Sequence, residues 1–452
     1  MSVEQIELPL EDRGESPTAE RSGEAVPTTH GHERLGIDHA LMERVVERGN
    51  LLRALKRVQQ NKGSPGVDGR TVEELPDDLR EHWPAIRTQL LTGRYQPSVV
   101  KRVEIPKAGG GMRMLGIPTV VDRFIQQAVL QVLQPMIDPT FSESSYGFRP
   151  GRRAHDAVCQ AQRFVQSGRR WVVDVDLEKF FDRVNHDVLM GLLHQRITDP
   201  RLLALIRRYL NVGILADGVV TDRHEGTPQG GPLSPLLANV LLDVVDKQLE
   251  QRGHRFVRYA DDCNVYVQSK RAGERVMHTL ITLYAKLKLH INVEKSAVAR
   301  AKDRQFLGYS FWYAKGGNVK RRVAPKALYK MKERIREITS RNGGRSLTRV
   351  TAELRSYLTG WKAYFRLADT PGIFADVDKW LHRRLRMLIV KQCKRGTTLF
   401  RLLRTRGVPE RVARAAAAHC RRWWAMAAHG ALHTAYPRAY ILSLGVPLLG
   451  PS

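Results

Sequence analysis

Apolar residues recur at helical spacing near the start of the ordered part of the chain. This spacing predicts a helix over residues 38–60, which the turn-forming NKGSPG at 61–66 ends. Residues 99–118 contain two short β-branched runs joined by a glycine-rich turn, and this pattern predicts a β-hairpin. The first third of the chain therefore mixes helices with one hairpin.

Two later apolar runs are interrupted by acidic residues. WVVDVDL at 171–177 and RFVRYADDCNVYVQ at 255–268 both predict strands, and a helical stretch with the loop-and-helix segment GTPQGGPLSP separates them. After residue 320 the pattern is almost entirely helical. This order of elements indicates an α+β protein with a helical C-terminal part.

The chain has 452 residues, of which 42% are hydrophobic, so we expect two to four packed units rather than one core. Its formal net charge of +28 indicates a polyanionic partner. Residues 320–430 carry 28 lysines and arginines against 7 acids, whereas a solvated helix surface usually mixes both signs. We therefore favour nucleic acid as the partner over a merely solvated face.

The N-terminal segment, the apolar runs and the cysteines argue against a membrane protein, a secreted protein and a disulfide-rich or zinc-binding protein. Residues 1–30 are acidic, polar and poor in apolar side chains, which predicts a disordered tail. No apolar run is long enough to span a membrane and no secretion signal is present, so we expect a cytoplasmic protein that does not bind membranes. Four cysteines without a C-x-x-C pair encode neither a zinc site nor a disulfide framework.

Four aspartates within the two predicted strands need a physical explanation. Asp261 and Asp262 lie at a strand–turn–strand, and Asp174 and Asp176 lie in the earlier run. Two carboxylates about 4 Å apart repel by roughly 4 kcal/mol at an effective dielectric near 20, so clustering them favours a counter-cation such as Mg²⁺. Two such ions would promote nucleotidyl transfer. The alternative is that these acids only cap turns.

The block RYADD decides between these alternatives, because Tyr259–Asp262 resembles the Tyr-x-Asp-Asp turn of reverse transcriptases. The resemblance covers about residues 31–440. It implies that Asp176, Asp261 and Asp262 are the catalytic carboxylates and hold two Mg²⁺ ions. Asp174 is then a neighbour of the site.

The same resemblance implies contacts with the substrates. Phe181 would abut the sugar of the incoming nucleotide and exclude a 2′-hydroxyl, although an ordinary core aromatic is the competing interpretation. The remaining residues of the expected dNTP site are Lys107 and Arg113 at the hairpin, Arg149 in SYGFRPGRR and Gln229 in GTPQGG. On the primer and template side the resemblance points to Tyr259 and Lys295.

Further blocks narrow the resemblance to the proteins of group II introns. NKGSPGVDG, SYGFRPGRRAHDAV and FLGYSFW look like intron enzymes, and LRSYLTGWKAYF at 354–365 is similar to their maturase domain. In and beside this block, the residues expected to bind RNA are Arg355, Trp361, Lys362 and Arg366, although the aromatic spacing also fits a core. The cysteine pairs of a His-Asn-His endonuclease are missing from the sequence.

We therefore predict a right-hand polymerase that copies RNA into DNA and acts as a maturase. Its partners would be intron RNA, an RNA template, a DNA primer or target, and dNTPs; whether it forms a dimer stays open. The predicted divisions are a tail (1–30), fingers with an N-terminal extension (31–170), a palm (171–318), a thumb or maturase region (319–395) and a basic C-terminal segment (396–452). The alternatives are another bacterial reverse transcriptase, of the retron, diversity-generating or phage-defence type, and a splicing cofactor with an inactive polymerase.

Overall fold

A computed structural model describes residues 40–106, 112–216, 219–221, 225–227, 230–340 and 343–450. Its helices are α1 (Leu41–Val45), α2 (Arg48–Asn61), α3 (Leu75–Leu91), α4 (Val120–Ile137), α5 (Ala154–Gln166), α6 (His186–His194), α7 (Pro200–Asn211), α8 (Ser234–Gln251), α9 (Lys270–Lys286), α10 (Pro325–Ile338), α11 (Leu347–Tyr364), α12 (Pro371–Gln392), α13 (Gly396–Thr405), α14 (Glu410–Ala418), α15 (Trp423–Met426), α16 (Gly430–Ala435) and α17 (Arg438–Ser443).

The strands are β1 (Val100–Pro106), β2 (Met112–Ile117), β3 (Trp171–Val175), β4 (Ile214–Ala216), β5 (Val219–Thr221), β6 (Arg255–Tyr259), β7 (Asp262–Val267), β8 (Ala297–Arg300), β9 (Tyr309–Tyr313) and β10 (Val319–Val323). They form sheets with the strand orders β2-β1-β4-β5, β6-β7-β3-β8 and β10-β9. The predicted hairpin at 99–118 and the strands at 171–177 and 255–268 are confirmed, as is the α+β class.

The helix predicted over residues 38–60 is instead two helices. Glu47 adopts extended backbone angles between α1 and α2, so the chain bends there. The buried Asn50 amide donates to the Val45 carbonyl at 3.0 Å and to the Ala128 carbonyl of α4 at the same distance. The polar side chain thus satisfies the carbonyl at the end of α1, a detail that apolar periodicity does not report.

Several helices start at residues that cap their free amides. The Thr119 hydroxyl accepts from the Asp122 amide at the start of α4, and the Asp199 carboxylate accepts from the Arg201 and Leu202 amides at the start of α7. Helix α4 is buried along most of its length, and α2 packs against it. These two helices carry much of the core on the N-terminal side of β3.

The chain divides into two compact units, and the division runs through β3 and β8. The first consists of Met1–Arg153 and Val173–Val298; the second consists of Ala154–Val172 and Ala299–Ser452. Helix α5 thus groups with the C-terminal part, whereas the sequence placed it with the fingers. The finer five-part division predicted from the sequence stays a prediction.

The second unit has two apolar clusters. One is formed by α10, α11 and α12, with Met331, Leu354 and Leu381 almost fully buried; the other surrounds α13 and α14, where Leu399 and Leu403 are fully buried. The predicted helical character beyond residue 320 is confirmed after β10. No helix in the described ranges is both long and apolar enough to cross a membrane.

Candidate active site

The Asp261–Asp262 pair lies at the tight connection between β6 and β7. The two strands are antiparallel, and Tyr259 and Asp262 form the last residue pair before the two-residue loop. Ala260 in this loop has φ +57°, a left-handed conformation that is uncommon for a residue with a Cβ. The turn therefore holds the acidic pair in one particular geometry at the end of the sheet.

Strand β3 lies beside β7 in the same sheet and brings the second pair of acids to the same place. Burial, and then the charges of Asp174, Asp261 and Asp176, raise the pKa of Asp262 well above its ordinary value. Burial, followed by the charges of Asp262 and Asp174, also raises the pKa of Tyr266. The electrostatic coupling indicates that two pairs of carboxylates, at least 85 positions apart in sequence, form one cluster.

Asp176 is held by the segment that precedes β8. Its amide donates to the Ser296 hydroxyl at 3.0 Å, and its carbonyl accepts from the Asn292 amide at 2.8 Å. The Lys295 ammonium lies 3.6 Å from the Asp176 carboxylate. Lys295, expected on the primer side, thus lies directly beside a predicted catalytic residue.

The donor chemistry of this cluster fits a hard divalent cation. All four side chains offer carboxylate oxygens, and their mutual repulsion favours a cation between them. Even so, within the described ranges no three His, Cys, Asp or Glu side chains stand in an arrangement ready to hold a metal. Asp176 lies beside Lys295, and Asp262 accepts from the Asn264 amide at 3.0 Å, so two of the four carboxylates have partners within the chain.

Phe181 lines a cavity of about 670 Å³ in the first unit. Its ring packs edge-to-face on the buried Phe180 at 5.0 Å, and its carbonyl accepts from the Thr227 amide at 2.7 Å. Other lining residues are Arg123, Gln127, Phe148, Gly230, Gly231 and Ser234. Phe181 therefore stands at a cavity wall and is not enclosed in the core, as its predicted role requires.

Arg149 is placed differently from the prediction. Its guanidinium is almost fully buried and forms an ion pair with Asp138, with Nε–Oδ1 2.9 Å. It also donates to the carbonyls of Ser142, at 2.6 Å, and Ser145, at 3.0 Å. These donors hold the chain around residues 138–149 together, and the predicted contact of Arg149 with a nucleotide stays a prediction.

The other expected substrate contacts are described only in part. Lys107 and Gln229 lie outside the described residues. Arg113 pairs with Ile105 across the β1–β2 hairpin, as predicted for a residue near its tip. Tyr259 ends β6 and is half-buried beside the acidic turn.

The structure gives the residues expected to bind RNA mostly internal contacts. Arg355 donates to the carbonyls of Gly445 at 2.8 Å and Leu444 at 3.1 Å, and Lys362 donates to that of Leu448 at 2.7 Å. The Trp361 ring packs on Phe365 at 4.5 Å. Three of the four side chains thus hold the C-terminal segment or the core of the second unit, and Arg366 is exposed.

Sequence reasoning missed Arg258, which is fully buried behind the acidic turn. It donates to Asp246, Asn239, Ser145 and the Ala260 carbonyl. A signal was present, because an arginine inside the apolar strand FVRY is as unusual as the aspartates that follow it. The role of Asp174 was also undervalued, since its charge acts directly on Asp262.

Two family models match the chain. Residues 105–311 match "Reverse transcriptase (RNA-dependent DNA polymerase)", and residues 328–407 match "Group II intron, maturase-specific domain". The four clustered aspartates all lie within the first match. The second match covers helices α11, α12 and α13 and all of α10 except its first three residues.

Related proteins point the same way. Protein YkfC of Escherichia coli is 33% identical over 57% of this chain and 79% of its own length. The group II intron-encoded protein LtrA of Lactococcus lactis is 34% identical over 53% of this chain but only 40% of its own length. The chain also matches, at 27% identity, a chain of a partial Cas6-RT-Cas1–Cas2 complex, covering 60% of this chain and 46% of that one with a TM-score of 0.35, too low to support an argument.

Proposed function

Because the chain belongs to the group II intron reverse transcriptase–maturase family, we propose that it copies RNA into DNA with Mg²⁺ and dNTPs and assists the splicing and mobility of its intron RNA. The family accounts for the right-hand polymerase fold and the RNA-directed DNA polymerase activity, which in general requires a divalent metal. The observation that carries the proposal is the cluster of four aspartates formed by β3 and the β6–β7 turn.

In the proposed mechanism Asp176, Asp261 and Asp262 would hold two Mg²⁺ ions. When bound, these ions supply activation of the primer 3′-hydroxyl and stabilisation of the leaving pyrophosphate. Lys295, at 3.6 Å from Asp176, balances the charge of that carboxylate. Phe181 at the cavity wall would exclude the 2′-hydroxyl of a ribonucleotide.

Primer extension tests the polymerase part. A DNA primer on an RNA template is incubated with Mg²⁺ and dNTPs, using wild type, Asp261→Ala with Asp262→Ala, and Asp187→Ala as the matched control. Asp187 lies in the same unit with its side chain 83% exposed. We expect extension by wild type and the control, and a loss of at least about 1,000-fold in the double variant. Wild type that makes no cDNA would contradict the proposal.

The RNA-binding surface of the second unit is proposed around α12 and α15 rather than at Arg355 and Lys362. Three tryptophans there each have a cation over the ring: Arg383 lies 4.1 Å from the Trp424 centroid, Lys391 lies 4.1 Å from Trp423, and Arg384 lies 5.3 Å from Trp380. From residue 379 to the end the sequence holds 15 lysines and arginines against the single acid Glu410. Bases can stack on such rings while phosphates bind the cations.

Binding of the adjacent intron RNA tests this surface. Trp424, which is 37% exposed, is replaced by alanine and compared with Tyr329→Ala, an aromatic of the same unit that is 63% exposed. We expect Trp424→Ala to weaken binding about tenfold, the size of one lost stacking contact, and Tyr329→Ala to have little effect. Equal effects of both variants would contradict the assignment.

Splicing of the same RNA distinguishes the alternatives. A splicing cofactor with an inactive polymerase would promote splicing without making cDNA, and another kind of bacterial reverse transcriptase would make cDNA without promoting splicing. We expect wild type to do both and the double aspartate variant to promote splicing only. The cytoplasmic location, the DNA target and the dimer considered from the sequence stay predictions.

A further inference from the structure

Arg258 is the most deeply buried cation near the acidic turn. It is fully buried in β6, and its partner Asp246 on α8 is fully buried too, with Nη2–Oδ2 2.6 Å. Nε lies 2.9 Å from both Asp246 oxygens. One carboxylate thus neutralises the guanidinium and occupies one edge of it.

The remaining donors of Arg258 are directed at the turn and at the segments that support it. Nη1 donates to the Ala260 carbonyl at 2.9 Å and to Asn239 Oδ1 at 2.8 Å, and Nη2 donates to the Ser145 hydroxyl at 2.8 Å. Ala260 is the left-handed residue immediately before Asp261. The guanidinium therefore binds the carbonyl of the residue that has this unusual backbone conformation.

Residues 144–147 form a second segment that contacts the turn. The Tyr146 amide donates to the Arg258 carbonyl at 2.9 Å, and the Arg258 amide donates to that of Ser144 at 2.9 Å. Asn239 links this segment to the same network by donating to the Gly147 carbonyl at 2.9 Å. A Cβ at Gly147 would lie 2.2 Å from the Ala260 nitrogen, so only glycine allows this close approach.

Burying a charged pair is costly, and an apolar pair of the same volume often stabilises a core equally well. An apolar side chain could not donate to the Ala260 carbonyl, however. We propose that Arg258 is a positioning residue, which locks the Ala260–Asp261 turn so that the carboxylates of Asp261 and Asp262 face the Asp174–Asp176 pair. This inference rests on the proposed polymerase function and adds a residue to it.

Helix α8 provides a matched control one turn away. Asp243, also buried, pairs with Arg196 at 3.0 Å, and it accepts from the Ser142 amide at 3.1 Å. Among the contacts of the described residues none joins Arg196 to the turn at 259–262. Replacing Arg196, whose side chain is 25% exposed, thus removes an ion pair to a buried acid of the same helix without touching the turn.

The test compares Arg258→Lys, Arg258→Met and Arg196→Met. Thermal unfolding reports folding, and binding of Tb³⁺ competed by Mg²⁺ reports the carboxylate cluster without requiring activity. Single-nucleotide extension then gives kcat and KM for the dNTP. We expect the folded Arg258 variants to lose about 100-fold in kcat, as misplacement of catalytic groups by about 1 Å does, with KM changed less than about threefold. They should also bind Tb³⁺ at least about tenfold more weakly.

Arg196→Met should unfold at a lower temperature than wild type but keep its kcat and its Tb³⁺ affinity. Gly147→Ala keeps the Arg258–Asp246 pair while displacing Ala260, so it should reproduce the kcat and Tb³⁺ losses if the Arg258 variants fail to fold. Wild-type kcat and Tb³⁺ binding in the folded Arg258 variants, or in Gly147→Ala, would overturn the proposal. If wild type itself does not extend primers, the polymerase function fails, and the Tb³⁺ comparison still decides the positioning role.

Discussion

At the residue scale, Asp262 is where burial and like charge act together. Burial and three neighbouring carboxylates raise its pKa, while the Asn264 amide opposes the shift by donating to it. Most buried acids are stabilised by a basic partner of their own. An acid placed among other acids instead suits a cation that arrives with the substrate.

Phe181 gives the first prediction at this scale. Phe181→Ala removes the ring from the cavity wall, so the ratio of kcat/KM for a dNTP over the matching rNTP should fall about tenfold or more. Single-nucleotide extension with dCTP and CTP measures the ratio. Phe180→Leu is the control, because Phe180 packs behind Phe181 in the core and does not line the cavity. A ratio unchanged by Phe181→Ala would assign this ring to the core alone.

At the element scale, single side chains join helices that are distant in sequence. Asp199 caps α7 and also accepts from the Met42 amide of α1 at 2.9 Å, while Arg201 binds Glu43. Burial alone would raise the pKa of Asp199, but hydrogen bonds from the Arg201 guanidinium and from the Met42 and Arg201 amides outweigh it and lower the pKa. The hydrogen bond from Arg201 also lowers the pKa of Glu43.

The second prediction follows from the lowered pKa of Asp199. A carboxylate whose pKa is lower in the folded state stabilises the fold above its unfolded pKa, near 3.9 for Asp, and loses that contribution as the pH falls through the folded value. Asp199→Asn keeps an oxygen that can cap α7 but loses the charge that Arg201 binds, so it should cost about 1–2 kcal/mol at pH 7 and less near pH 3. Urea unfolding at both pH values measures this. Asp187→Asn should show no such difference, and a constant cost for Asp199→Asn would contradict the linkage.

The C-terminal segment is anchored in the same manner, which gives the third prediction. The buried Asp378 on α12 accepts from the Leu449 amide at 3.0 Å and the Gly450 amide at 2.9 Å. Removing a hydrogen bond to a charged acceptor costs about 1.5–3 kcal/mol, so Asp378→Ala should speed hydrogen exchange of residues 444–450 by about 10- to 100-fold. Asp376→Ala, two residues earlier with its side chain 78% exposed, is the control and should leave exchange unchanged. Slow exchange in Asp378→Ala would mean that other contacts anchor the segment.

At the scale of the whole molecule, charge is the dominant property. The net charge of +28 is concentrated beyond residue 320, where the sequence is also most helical. A surface of this kind attracts RNA by releasing counterions, so its affinity depends strongly on salt. Specificity then has to come from the tryptophans and from local RNA shape.

The fourth prediction separates the contribution of charge to RNA binding from the contribution of the tryptophans. Binding of intron RNA should weaken steeply between 50 and 200 mM salt, and Arg383→Ala should reduce the slope of log K against log salt by about 1, as the loss of one phosphate contact does. Trp424→Ala should lower the affinity while leaving the slope unchanged. Filter binding over a salt series measures both. An unchanged slope in Arg383→Ala would indicate that this arginine only packs on Trp424 and donates to the Trp424 carbonyl, as it does at 3.0 Å in the structure.

Much of the fold could be predicted because it depends on local patterns. The β1–β2 hairpin, the strands around the YADD turn and the C-terminal helices all follow from apolar spacing and turn residues within about twenty positions. The break between α1 and α2 was not predicted, since the Asn50 amide that satisfies the Val45 carbonyl there also binds a carbonyl of α4 that lies 78 positions away.

The sequence by itself determined the chemistry of the protein: its basic charge, its strand-bound aspartates and the motifs that place it in a family. Only the tertiary structure decided which charged groups are available. Arg149, Arg355 and Lys362 look like ligand-binding cations in sequence, yet they donate to backbone carbonyls of their own chain. Arg258 was given no role from the sequence, yet it donates to the Ala260 carbonyl next to Asp261. The physical reason is that a guanidinium or ammonium binds whatever acceptor folding brings within about 3 Å, and sequence separation carries no information about that distance.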